Sequence, residues 1–243
     1  MGTGTTANGM ALPRSVWIVA AAVSVAATAF AAAKPVFATD TLCRYAFRAE
    51  AFSSGNWAEA FHPRFGVGLP VVAGLARLVL RTDGLSACAA VSMLAWSVGL
   101  VPLWLIADRL FDRRTAWFAV VLYLICPQIA LWGLQGLREP FKMLGALMMV
   151  CGLVTCRERG FAAVVWATAG SVLLVTFKPD AIPLAGILSV GFAVCDRFGR
   201  KTWAVLAGGA LALVPMCWLT WSWTGFFVPS TQYVKFICKF IGG

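Results

Sequence analysis

Residues Leu85 to Ala107 read LSACAAVSMLAWSVGLVPLWLIA, without one charged side chain. A bilayer's hydrocarbon core is about 30 Å thick, and a helix needs about 20 apolar residues to cross it. This stretch is therefore predicted to span a membrane. Comparable apolar runs cover Ser15 to Ala33, Ala116 to Trp132, Phe141 to Thr155, Phe161 to Thr176, Ala181 to Val194 and Thr202 to Trp223. The whole chain of 243 residues is 60% hydrophobic and 12% charged, where a soluble domain carries about 25% charged residues. The sequence thus predicts an all-α, polytopic integral membrane protein of about seven transmembrane helices.

The turns between these runs fall into two sets. ADRLFDRRT, CRERG and CDRFGRK hold Arg109, Arg113, Arg114, Arg157, Arg159, Arg197, Arg200 and Lys201. The alternate turns, LREPFK and FKPD, hold Arg138, Lys142 and Lys178. The bias puts the first set in the cytoplasm, with the N-terminus inside and the C-terminus outside. Positive-inside topology is the first explanation of the net charge of +10, and anionic lipid phosphates come next as partners. No Lys/Arg cluster sits on a soluble domain, so nucleic acid is not expected as a partner. Eight cysteines show neither CxxC spacing nor histidines nearby. Most lie inside apolar runs, where a thiol behaves as a small hydrophobe, so no disulfide or metal framework is predicted.

Residues 1–14 are Gly/Thr-rich and expected to be disordered. The run that follows resembles a signal peptide, with AFAAA offering small residues for cleavage, but its length and the spans behind it favour a retained first helix. The membrane module is expected over 15–223. Residues 224–243, rich in aromatic and basic side chains, read as an interfacial tail and as the start of a further C-terminal part.

Between the first two spans lies a long polar loop over 34–84, including KPVFATDTLCRYAFRAEAFSSGNWAEAFHPRFGVGLPVVAGLARLVL from Lys34 to Leu80. Charged and aromatic residues mixed at this density suit juxtamembrane helices lying at a membrane surface, and a spanning helix would not tolerate so many charges. Gly66 to Leu80, with Gly66, Gly68, Pro70, Gly74 and Arg77, is expected to be juxtamembrane or re-entrant and not to cross. The loop shares the outer face with LREPFK and FKPD.

That face gathers the residues that could do chemistry. Asp40 follows the first span directly. Glu139 precedes Pro140 at a span start, where a proline is well tolerated and the helix N-terminus favours a carboxylate. Arg64, Arg138, Lys142 and Lys178 surround them with cations. Carboxylates ringed by cations at a membrane surface suit a phosphate-bearing lipid: the cations hold the phosphate, and one carboxylate serves as a base. The plainer alternative, solvated loop acids paired with local arginines, is not decided by spacing. His62, the only histidine, is a further substrate-binding candidate whose plainer role is capping or aromatic packing.

The order of these features resembles the multispanning GT-C class glycosyltransferases that use polyprenyl-phosphate sugars, the group containing protein mannosyltransferases and aminoarabinose transferases. The resemblance rests on TDTLCRYAFRAEAFSSGNWAEAFHPRFGVGLP after the first span, ADRLFDRRTAWFAVVLYLICPQIA at a cytoplasmic turn, and REPFKMLGALMMV at a later span start. It covers roughly Ser15 to Val175. It implies transfer of a sugar from a polyprenyl-phosphate donor to a lipid, glycan or protein acceptor outside the cytoplasm, at the plasma (inner) membrane. By this resemblance Asp40 is the catalytic or metal-linked acid and Glu139 the second acid. Arg64, His62, Arg138, Lys142 and Lys178 are substrate contacts assigned by location. A divalent metal ion held by Asp40 and Glu139 is the one cofactor left open. Family members usually continue with more spans, so two alternatives stand beside this: a non-catalytic or truncated membrane subunit binding a lipid-linked glycan, with a partner membrane protein supplying the missing spans, and a small transporter. Few polar residues lie within the spans, Gln128 being one, which weakens the transporter reading.

Overall fold

The computed structural model describes residues 13–34, 36, 38–62, 66–156 and 160–241. Arg64 lies outside the described residues, as do the arginines of 157–159 and nearly all of the N-terminal 1–14. Among the described residues the structure is helical, with no strand.

The first long helix, α1 (Arg14–Ala33), leads through a turn to a π-helix (Thr41–Ala46). Short helices follow: α2 (Phe47–Ser53), α3 (Trp57–Ala60) and α4 (Gly68–Leu80). Short helices are what the sequence led one to expect over this stretch. At a rise of about 1.5 Å per residue, the thirteen residues of α4 reach only about 20 Å, well short of a bilayer core.

Next come α5 (Gly84–Val98) and α6 (Leu100–Leu110), then α7 (Arg113–Ile125), α8 (Pro127–Leu134) and α9 (Glu139–Thr155). The chain continues with α10 (Gly160–Phe177), a 3₁₀ turn (Pro179–Ala181), α11 (Ile182–Cys195), α12 (Arg200–Thr224) and α13 (Thr231–Ile241).

Each apolar run read as a span is helical. By length and composition, four helical stretches among the described residues can cross a membrane: Arg14–Ala31, Gly84–Leu110, Gly160–Phe177 and Arg200–Thr224. A fifth exists if α7 and α8 count as one span bent by 54°. The bend has a local cause. Pro127 cannot donate to the helical ladder and clashes with the preceding turn, so α7 stops at Ile125 and α8 restarts with proline in its first turn. The other two runs form helices of 17 residues (α9) and 14 residues (α11).

Side chains set the helix starts. Asp83 accepts hydrogen bonds from the Ser86 amide (2.9 Å) and hydroxyl (2.8 Å). Asp112 accepts from the Thr115 amide at 2.7 Å. Asp196 accepts from the Thr202 amide (3.0 Å) and hydroxyl (3.1 Å). Each carboxylate satisfies amides that a helix start leaves orphaned.

The joined α5–α6 stretch is the buried centre of the bundle. α1 lies along it through Val16 and Ala20, and the Ser24 hydroxyl donates to the Ser97 hydroxyl at 2.8 Å. Close approach elsewhere depends on small residues, as expected where helices associate without a hydrophobic driving force. A methyl group on Gly170 of α10 would come within 2.5 Å of the Gly145 carbonyl on α9, and one on Gly152 within 2.7 Å of the Ala163 carbonyl. Gly208 leaves no room for a Cβ beside Thr168, so α12 also packs tightly on α10.

Because successive helices run back and forth, the turns alternate between two ends. One end carries the π-helix with the 135–139 and 177–181 turns; the other carries the turns at 111–112 and 196–199, with Cys156 and Gly160 beside them.

A candidate site of paired acids and cations

The end that carries the π-helix is stitched together by backbone contacts. The Val36 amide donates to the Leu134 carbonyl at 3.2 Å, and the Thr41 hydroxyl donates to the Gln135 carbonyl. The Ser92 hydroxyl on α5 donates to the Leu137 carbonyl at 2.8 Å. The segment after α1 is thereby held against the turn that launches α9. On the other side, the rings of Phe141 and Phe177 stack with centroids 3.9 Å apart, which fixes the start of α9 against the end of α10. Gly68 lies directly under the Phe177 ring, where a Cβ would come within 2.5 Å. Gly66, in the left-handed region at φ 77°, would press a Cβ to 2.6 Å from the Thr176 carbonyl, so both the conformation and the contact require glycine there.

Charged side chains from three elements meet on this frame. Glu139 Oε1 accepts from Lys178 Nζ at 2.8 Å, with the side chains 26% and 19% exposed. Arg138 and Asp180 lie 3.9 Å apart. Asp40 takes a different partner, Arg44 at 3.0 Å on its own helical turn, and is 54% exposed. Tyr45 stands between these groups. Its phenol is buried and feels the charges of Arg138, Glu139, Asp40 and Arg44, while burial pushes its pKa up. It is therefore a protonated phenol at neutral pH.

The predicted acids thus fall at the same end of the bundle, both within electrostatic range of Tyr45. Arg138 and Lys178 join them. Lys142, half-buried one turn into α9, carries no ion pair among the described residues. His62 meets the Trp223 ring at the end of α12, centroids 4.9 Å apart, a contact of the aromatic-packing kind. Arg64 is outside the described residues. Asp180 and Tyr45 were not predicted as site residues, although both stand in quoted stretches. Asp180 follows Lys178 by two positions at the start of a helical turn, a place where a carboxylate is favoured, and that was the available signal.

Among the described residues no three His, Cys, Asp or Glu side chains converge. Glu139 and Asp40 each hold a cation instead. This donor set, two carboxylates already paired with cations, does not fit a protein-held metal ion.

Beside the charged cluster, an apolar groove of about 450 Å³ runs between α10, α11 and α12, lined by Val175, Ile182, Ala185, Gly186, Leu206 and Leu213 among others. Its lining residues Val175 and Ile182 flank Lys178 and Asp180 in the chain. A cluster that can hold an anion therefore adjoins a groove that can hold a hydrocarbon chain.

Residues 62–221, about two thirds of the chain, match the family model described as dolichyl-phosphate-mannose-protein mannosyltransferase. The chain belongs to that family, whose architecture is of the GT-C glycosyltransferase type. The match contains Arg138, Glu139, Lys142, Lys178 and Asp180, whereas Asp40 and Tyr45 precede it. No curated protein matches the chain, and no solved structure does.

Proposed function

We propose that this family member transfers a sugar from a polyprenyl-phosphate donor to an acceptor hydroxyl or amine at the outer face of the membrane. The observation that carries the proposal is the Glu139–Lys178 and Arg138–Asp180 pairing beside an apolar groove. The donor joins a phosphate to a long hydrocarbon chain and needs both features side by side.

In this reading the groove takes the first isoprene units. Lys142, Lys178 and Arg138 take the phosphate, and charge-assisted contacts of this kind are the strong ones. The acceptor's oxygen or nitrogen forms a bond to the anomeric carbon as the bond from that carbon to the phosphate oxygen breaks. The electron pair leaves with the lipid phosphate, whose charge the cations hold. The acceptor's proton passes to Asp40, and configuration at the anomeric carbon inverts. Glu139 keeps Lys178 at the phosphate. The charge bias of the turns argues that this end faces out of the cytoplasm, because Arg109, Arg113, Arg114, Arg197, Arg200 and Lys201 crowd the other end. The membrane in this reading is the plasma (inner) membrane, as the resemblance to the GT-C transferases implies.

Asp40→Ala should abolish transfer of a labelled sugar from polyprenyl phosphate and leave the thermal unfolding transition in place. Full activity in that variant would remove Asp40 from the mechanism. One observation favours a second reading: Asp40 is paired with Arg44 and lies ahead of the family match. A relative that binds a lipid-linked sugar without turning it over would have that appearance. Donor binding by the unmodified protein with no transfer to any acceptor would establish it.

A further inference from the structure

Helix α13, TQYVKFICKFI, lies beyond the family match, and the site described above makes no use of its charges. The helix has two faces. Gln232, Lys235, Cys238 and Lys239 are exposed, and Tyr233, Val234 and Ile237 are half-buried. Spacings of three and four residues put Gln232, Lys235 and Lys239 along one side and Tyr233 and Ile237 along another. The helix contains no acidic residue.

Its position is tied down at one point. The Tyr233 hydroxyl donates to the Pro179 carbonyl at 3.2 Å. The first turn of α13, with Gln232 and Tyr233, roofs a cavity of about 350 Å³ whose other walls are Asp180 and Pro183. The level of the membrane surface is marked nearby. α12 ends with Trp218, Trp221 and Trp223 exposed, followed by exposed Phe227, and exposed aromatic rings of this kind belong at the headgroup boundary. Only the Gly225–Ser230 segment separates this belt from α13.

We propose that α13 is an interfacial helix that seats on an anionic lipid surface. Lys235 and Lys239 engage the headgroup phosphates, and the Val234–Ile237 side meets the acyl boundary. A lipid surface is the occupant because charge and depth agree. The exposed side carries cations without acids, and the helix starts at the level of the aromatic belt. A short helix combining an apolar face with lysines is the kind that lies in the interface plane. Each lysine near an anionic surface strengthens attachment roughly five-fold. The inference rests on the chain's membrane location and not on the transferase reading.

The test uses the full chain in lipid nanodiscs, with Cys43→Ser and Cys238→Ser removing the exposed thiols. Ile237→Cys is then labelled with a charged maleimide and read at position 237 by mass spectrometry. Discs of phosphatidylcholine containing phosphatidylglycerol should slow labelling by several-fold relative to pure phosphatidylcholine. High salt, or Lys235→Glu with Lys239→Glu, should remove the difference. Val234→Cys provides a second reporter on the same side if position 237 does not tolerate the change. Equal labelling in both discs would overturn the proposal. Protection that survives in pure phosphatidylcholine and after charge reversal would also overturn it, since the protein alone would then hold the helix.

Discussion

At the end built from the π-helix and the 135–139 and 177–181 turns, charged groups pair across elements distant in the chain. Glu139 meets Lys178 and Arg138 meets Asp180. At the opposite end Asp112 and Asp196 turn inward on their own neighbourhoods, capping α7 and α12 through Thr115 and Thr202. The two arrangements serve different purposes. A cap satisfies amides that any helix start leaves open, so its carboxylate is engaged by its own helix. A pair between side chains on separate elements can be opened by a ligand that offers a better partner, and the cations can then be re-used. The ends therefore differ in what their charges are free to do.

The largest way to break this difference is to loosen the frame beneath the paired end. Phe177→Ala removes the ring that stacks on Phe141 and covers Gly68. It should lower stability by about 3 kcal/mol, seen as a fall in the thermal unfolding midpoint, and should take donor binding with it. A second experiment sharpens the contrast. Lys178→Met and Glu139→Gln, singly and together, form a double-mutant cycle, and the coupling should be on the order of 1–2 kcal/mol. Each single change should reduce sugar transfer on the order of 100-fold, as expected when a contact to developing charge is lost; independent stability effects with unchanged transfer would make the pair a structural strut. The smallest effect belongs to the other end. Asp196→Ala removes the cap of α12 and should lower stability by about 1 kcal/mol, with transfer retained. Loss of transfer there would erase the distinction between the ends.

Much of this was legible in the chain. Each apolar run became a helix, because hydrocarbon-compatible side chains over a sufficient length leave the backbone no other way to satisfy itself. The grouping of Asp40, Arg138, Glu139 and Lys178 at one end also followed, since alternating spans put alternate turns together. Partner choice was not legible. Which cation reaches which acid depends on the rotation of α9 against α10, and that rotation is set by the Phe141–Phe177 stack and by contacts at Gly145 and Gly170. Local sequence carries no record of such pairings. Ala116 to Trp132 likewise reads as one apolar run, and Pro127 breaks it into two helices at 54°. The count of about seven spans rested on reading every run as a full crossing; α9 and α11 are helices too short to settle that by length alone.

The π-helix from Thr41 to Ala46 has a consequence for how this region tolerates change in length. Such a turn carries one residue more than the α-helical path between the same two points, and turns of this kind are often found at functional sites. A one-residue deletion between Asp40 and Tyr45, at exposed Cys43 for instance, would let the segment relax to ordinary α-helix. Each residue of an α-helix advances the chain by about 100°. In an ordinary helix a deletion would turn every residue before it by that angle, but here the loss returns the path to α-helix between the same two points, so Asp40 keeps its place beside the 135–139 turn. Between Asp40 and Tyr45, a one-residue deletion is therefore a milder change than the same deletion in an ordinary helix.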